Sequence, residues 1–191
     1  MKTNVERKTE SRIVNGLDVE AIGQAAEEVA KDPSKGLTRW QVCTSWLGGA
    51  RSETRVEGYE IGGQRVKKDF RIQTDEPLEL FGTNQAPNPQ EVLMAALNSC
   101  MTVGYVALCA LEGIELEEVS IESSGNLDLR GFFALDPAIK PGYEEIEYRI
   151  RVKGNGTPEQ FQKIHEKVQA TSPNYFNLSQ PVRLKGELLV G

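Results

Sequence analysis

The sequence predicts an α+β fold, with antiparallel strands gathered into sets and two helices between them. Three observations carry this. Alternating segments separated by glycine pairs fill residues 40–74. One long apolar run with a start and a stop signal occupies residues 88–113. Two further alternating segments, a second amphipathic helix and a last alternating segment follow it. The order is βββ–α–ββ–α–β, with an extra helix in front.

Met1 to about Asn15 reads as weakly ordered. Its first residues are polar and lack the apolar core of a signal peptide. Leu17 to Lys31 reads as an amphipathic helix, with Val19, Ile22, Ala26 and Val29 at helical spacing, and Asp32-Pro33-Ser34-Lys35-Gly36 stops it. Trp40 to Trp46 forms a strand, and Gly48-Gly49 a turn. Glu53 to Ile61 is a second strand, Gly62-Gly63 a second turn, and Val66 to Thr74 a third strand. Together they predict a three-stranded meander. Residues 1–37 are expected to form an N-terminal extension with one amphipathic helix, and residues 38–191 the main domain.

Leu80 to Pro87 is a loop that leads into the long apolar segment. Asn88 suits a helix N-cap, Pro89 suits the first turn, and Glu91 stands where a capping-box acid belongs. Gly113 ends this helix. Because the segment is apolar all round, it is expected to be buried all round. Its length raises the question of a membrane span. Asn98, Ser99, Thr102 and Tyr105 interrupt it and no basic flank follows, so a soluble core helix is the expectation. Glu117 to Leu129 alternates as a strand, Gly131 to Gly142 is a loop, and Tyr143 to Lys153 alternates again. Thr157-Pro158-Glu159-Gln160 opens a helix with Phe161, Ile164 and Val168 inward, and Pro181 to Val190 closes as a final strand.

The net charge of −6 and a pI near 5 argue against nucleic acid and anionic membranes as partners. Three cysteines are an odd number without zinc spacing, so neither a disulfide framework nor a metal site is expected, and a reducing cytoplasm is. The single histidine, His165, makes a zinc site or a Ser–His triad improbable; it reads as solvated or half-buried. Gly48-Gly49 is a turn and not a phosphate loop.

Cys100 is the chemically open position. On an apolar helix it is either a small buried hydrophobe or a placed reactive thiol, and the second reading needs a nearby cation. It lies about three turns in, too far for the helix dipole to act alone. Cys109, nine residues on, is turned by about 900° and faces away from Cys100. Cys109 is expected to be core, and Cys43 structural. Glu91 has the capping role, and Arg51, Arg55 and Arg65 flank the hairpin turns, where most arginines are solvated.

The run Asn88-Pro89-Gln90-Glu91-Val92-Leu93-Met94-Ala95-Ala96-Leu97-Asn98-Ser99-Cys100 resembles the signature of the OsmC/Ohr family of osmotically inducible and organic-hydroperoxide-resistance proteins. Element order agrees over roughly Thr38 to Val190. The resemblance implies antiparallel sheets around two long central helices in an intertwined homodimer, with sites at the subunit interface and no cofactor. It implies that the helix cysteine attacks an organic hydroperoxide and becomes a sulfenic acid, polarised by an arginine and a glutamate. Cys100, Arg51 and Glu91 stand at those positions.

In active relatives a second cysteine, in a Cys-Pro pair, then closes a disulfide that dithiols reduce. Here that pair is Ser172-Pro173; Gln90 stands ten residues before the cysteine, where the peroxide-reducing branch has an acid, and Glu91, nine before, matches the broader family. The expectation is therefore a single-cysteine, thiol-dependent hydroperoxide reductase resolved by an external thiol or dithiol. The alternative is a non-catalytic member that binds a small apolar ligand near Gln90, Ser172, Tyr175 and Phe176.

Overall fold

The computed structural model describes residues 11–191. The expectation of weak order at Met1 to Asn15 lies outside the described residues as far as residue 10. Beyond that it is corrected. Ile13–Val14 (β1) pairs antiparallel with Leu17–Asp18 (β2). Asn15 and Gly16 between them have φ of 52° and 77°, the positive pair that a two-residue Asn-Gly hairpin requires. The first helix, Val19–Lys31 (α1), therefore starts two residues later than the spacing predicts. Asp18 caps it, its carboxylate accepting from the Ala21 N–H at 3.0 Å. The described chain falls into two compact units, one up to Leu93 and one from Met94.

The first unit carries a four-stranded sheet: Thr38–Trp40 (β3), Cys43–Gly48 (β4), Arg51–Ile61 (β5) and Gln64–Thr74 (β6). β6 pairs with β5 along one edge, while β3 and β4 share the other edge end to end. The expected single strand Trp40–Trp46 is thus two strands. β3 pairs with residues 59–61 of β5, and β4 with residues 51–55. Residues 41 and 42 fall opposite a stretch of β5 whose register with β6 shifts between Val56 and Gly58, and an irregularity of this kind interrupts a ladder.

After β6 the chain enters a tight loop organised by one buried carboxylate. Asp75 is 1% exposed. It accepts hydrogen bonds from the N–H groups of Glu76 (2.8 Å), Thr83 (3.1 Å) and Gln85 (3.1 Å), and from the Thr83 hydroxyl (2.5 Å). The backbone folds so closely that a Cβ at Gly82 would lie 1.8 Å from the Glu76 carbonyl oxygen, which only glycine avoids. The hydrogen bond from Thr83, followed by those from the backbone, holds the Asp75 carboxyl down at about 2.

The loop ends at Pro89–Leu111 (α2), whose start is the expected capping box. The Asn88 N–H donates to Glu91 Oε2 at 2.7 Å, and the Glu91 N–H donates to Asn88 Oδ1 at 2.9 Å. Gly113, with φ of 72°, follows the helix as expected.

The second unit is built on α2. Leu97, Met101, Tyr105 and Cys109, each four residues beyond the last, are 4%, 0%, 1% and 0% exposed. They form one stripe packed with Ile114, Ile164 and Val168, and with Val119, Ile121, Tyr148 and Ile150. The expectation of burial all round is corrected: Val103, off this stripe, is 68% exposed. By length and composition α2 could cross a membrane, yet its buried stripe makes it the core helix of this unit.

Leu116–Ser124 (β7) pairs antiparallel with Glu147–Gly154 (β8). Both are shorter than the alternation suggests. Asp128 turns the chain into a short helix, Leu129–Phe132 (α3), its carboxylate capping the Arg130 N–H at 2.9 Å. Pro158–Thr171 (α4) opens with the expected capping box between Thr157 and Gln160.

Pro173–Ser179 (α5) follows at once, and the expected strand Pro181–Val190 is not formed. A strand is held by a neighbour's backbone groups, and in the described chain residues 181–190 pair with none. Leu184, Leu188 and Val190 are 90%, 85% and 86% exposed.

The folded-state pKa of Asp75 lies below that of an unfolded aspartate. Its contribution is therefore complete above about pH 4 and fades as pH falls toward 2. Asp75→Asn is expected to lower the melting temperature at pH 7, with the gap to wild type closing between pH 4 and pH 2. A gap of constant size across that range would show that the carboxylate charge does not organise the loop.

Candidate functional site

Cys100 sits on the flank of the buried stripe, about 100° around the helix from Met101. It is half-buried, while Cys109 is buried and Cys43 exposed. The side that Cys100 faces is set by the antiparallel packing of α4 on α2. Gly104 faces Val168 across this contact, where an added Cβ would meet the Val168 methyls at 3.4 Å, an ordinary van der Waals distance. One turn back on α2 is Cys100; one turn on along α4 is Ser172. The two meet there: the Ser172 hydroxyl donates to Cys100 Sγ at 3.3 Å.

Ser172 is where it is because proline follows it. A residue before proline is pushed out of the helical region, and Ser172 has φ −74° and ψ 118°. α4 stops there, the Ser172 N–H donating to Val168 O at 2.8 Å. Pro173 starts α5, and Ser172 Oγ accepts from the Tyr175 N–H at 3.4 Å. Next in line, Asn174 Nδ2 donates to Ala96 O at 2.8 Å. The corner is thus tied to α2 at the cysteine and one turn before it. The other side of that turn is held by Asn98, which donates to Ile121 O at 3.2 Å and accepts from the Ser123 hydroxyl at 2.5 Å.

A second polar group lies deeper in the same unit. The Tyr105 hydroxyl and His165 Nδ1 share a short hydrogen bond. Gln169 Nε2 donates to the hydroxyls of Tyr148 at 2.7 Å and Tyr175 at 3.4 Å. Burial pushes the Tyr105 phenol upward, so it stays protonated at neutral pH. His165 is half-buried as expected.

Burial also raises the Cys109 thiol to about 11, which keeps it protonated and unreactive. Cys43 corrects the expectation of a structural thiol. It is exposed on β4 opposite Arg55.

Each of the other predicted residues has its own local setting. Tyr175 is half-buried in the corner and Phe176 is 60% exposed on α5. Glu91 and Gln90 occupy the first turn of α2, where the Glu91 carboxylate serves the cap. Arg51 opens β5 opposite Gly48, with its side chain exposed.

Sequence reading missed one cluster. Glu53 on β5 is 9% exposed and accepts from Arg55 Nε at 3.2 Å, Arg71 Nη1 at 3.5 Å and Gln73 Nε2 at 3.5 Å. The Arg55 hydrogen bond, then that of Gln73, lowers its pKa. Arg55 is thus partnered rather than simply solvated. The signal was available: Glu53 and Arg55 share a strand face, and a hairpin at Gly62-Gly63 brings residues 71 and 73 opposite them. Among the described residues no group of His, Cys, Asp and Glu is placed to hold a metal.

The Ser172–Cys100 contact predicts the outcome of restoring a thiol. Ser172→Cys is expected to form an intramolecular disulfide with Cys100 on mild oxidation, seen as a mass loss of two hydrogens that a reductant reverses. Persistence of two free thiols after oxidation would refute the geometry. Gly104→Leu, by contrast, is expected to separate α4 from α2 and lower stability by about 1–3 kcal/mol, measured by denaturant unfolding.

Comparison with known proteins bears on the fold. No curated protein matches the chain by sequence. An OsmC-like protein from Mycoplasma pneumoniae has a similar structure, with 12% identity and a TM-score of 0.59; the match covers 74% of this chain and 87% of that one. An OsmC-like protein of unknown function from Vibrio cholerae is similar at 14% identity and a TM-score of 0.54, over 73% of this chain and 92% of that one. The OsmC-like protein family matches residues 82–187, from the loop before α2 to the segment after α5. With more than half of its length matched, and with the α+β architecture of solved OsmC-like structures, the chain belongs to the OsmC-like family.

Proposed function

We propose that this protein is a thiol-dependent organic hydroperoxide reductase with a single reactive cysteine, Cys100, acting in the cytoplasm as a homodimer. The observation that carries the reading is the contrast between the two cysteines of α2. Cys109 is sealed and held protonated, whereas Cys100 is half-open and receives a hydrogen bond on its sulfur.

In the proposed cycle the Cys100 thiolate attacks the terminal oxygen of ROOH. An S–O bond forms, the O–O bond breaks, and the alkoxide leaves and takes up a proton as ROH. Cys100 is then a sulfenic acid, oxidised by two electrons. With serine at position 172 no internal thiol meets it there. An external thiol forms a mixed disulfide with loss of water, and a second thiol releases Cys100 as the thiol and leaves as the small disulfide.

The homodimer is supported by apolar surface that the single chain leaves open. Val103 on α2, Trp46 on β4 and Phe70 on β6 are 68%, 77% and 61% exposed, far more than the side chains of a self-sufficient core.

The test is treatment with cumene hydroperoxide followed by dimedone labelling and peptide mapping. Cys100 is expected to carry the adduct, and Cys100→Ser to lose peroxide consumption. Exposed Cys43 serves as the internal comparison: dimedone on Cys43 with none on Cys100 would end the redox reading. Equal thermal stabilisation of wild type and Cys100→Ser by the hydroperoxide would instead favour ligand binding without chemistry. Sedimentation velocity at micromolar concentration is expected to show a dimer.

A further inference from the structure

Resting on that reading, we propose that Ser172 is a catalytic residue of the same reaction. Its hydroxyl is the hydrogen-bond donor that holds the Cys100 sulfur for attack and then holds the sulfenate that the sulfur becomes.

A serine hydroxyl has one hydrogen to give. At Ser172 the oxygen accepts from the Tyr175 N–H, and the hydrogen is directed to Cys100 Sγ at 3.3 Å. Ser172 is 5% exposed, so water has little access to that hydrogen. The donor is also immobile. Ser172 ends α4, begins α5 and is fixed by Pro173, while Asn174 binds the Ala96 carbonyl. That carbonyl lies four residues before Cys100, the position that accepts the Cys100 N–H in a helix. Donor and sulfur are therefore anchored to the same helical turn, and a preorganised donor aimed at developing negative charge costs no rearrangement when the reaction occurs.

The chemistry of serine gives this donor a second role. When Cys100–S⁻ takes an oxygen from ROOH, the product is Cys100–S–O⁻ and ROH. A thiol at position 172 would attack that sulfur, expel hydroxide and close a disulfide. The alcohol of serine, unionised at neutral pH, makes no such bond. It donates to the new oxygen instead, and the sulfenate persists until an external thiol enters. The exchange of sulfur for oxygen at position 172 thus turns a resolving group into a holding group and assigns resolution to a soluble thiol.

The experiment follows Cys100 oxidation by cumene hydroperoxide in wild type, Ser172→Ala and Ser172→Thr. It also measures the sulfenate lifetime, by adding dimedone at intervals after peroxide removal. A hydrogen bond to a charged group corresponds to about ten- to a hundredfold in rate. Ser172→Ala is expected to slow oxidation by that factor and to shorten the sulfenate lifetime, and Ser172→Thr to restore both. The alanine variant also loses the α5 cap. If it does not fold, Ser172→Gly, which is tolerated at an N-cap, is read in its place. Equal rates and lifetimes in wild type and the variant without a hydroxyl would overturn the assignment and leave Cys100 as the reactive thiol. No oxidation of Cys100 in wild type would instead overturn the reductase reading itself.

Discussion

One helical stripe governs this structure. Leu97, Met101, Tyr105 and Cys109 drive α2 into a seat formed by β7, β8 and α4, and each large apolar side chain buried there is worth about 1.5–3 kcal/mol. Once those four are seated, the rotation of the helix is decided. Cys100 cannot join them, because it lies about 100° away from Met101. The same burial that makes Cys109 inert leaves Cys100 on the flank, in reach of chemistry.

The flank is closed by a second constraint, the register of α4 against α2. Gly104 faces Val168, and one turn along each helix in opposite directions Cys100 faces Ser172. Tyr105 meets His165 in the same antiparallel register. A glycine in a helix interior lowers helix propensity by about 1 kcal/mol relative to alanine. Here it faces Val168 at ordinary contact distance, and the same register brings a hydroxyl to a sulfur. The break between α4 and α5 completes the corner. Proline forces the helix to stop, and the freed serine caps the next one.

Much of the fold was legible in the sequence. Both capping boxes, Asn88 with Glu91 and Thr157 with Gln160, are local signals and form as read. The sealing of Cys109 was expected and His165 is half-buried within the expected range, whereas α2, expected to be buried all round, buries one stripe. The errors lie where pairing decides. Asn15-Gly16 is a two-residue turn signal inside a segment expected to be weakly ordered, and pairing of its flanks makes it a hairpin. The split between β3 and β4 depends on irregular pairing along β5, which no property of Trp40 to Trp46 reveals. Pro181 to Val190 alternates like a strand, but alternation only says that a segment could be a strand, and a ladder needs a partner.

By itself the sequence determined the class of fold, the starts of α2 and α4, the family and the cysteine that carries the question of function. These depend on contacts within a few residues, where spacing along the chain is spacing in space. Only the tertiary structure decided that Ser172 donates to Cys100, that Cys43 is exposed and that Glu53 and Asp75 are buried carboxylates with full complements of donors. Those groups are separated by up to 72 residues, and their meeting is set by helix register and strand pairing, which local preference does not encode.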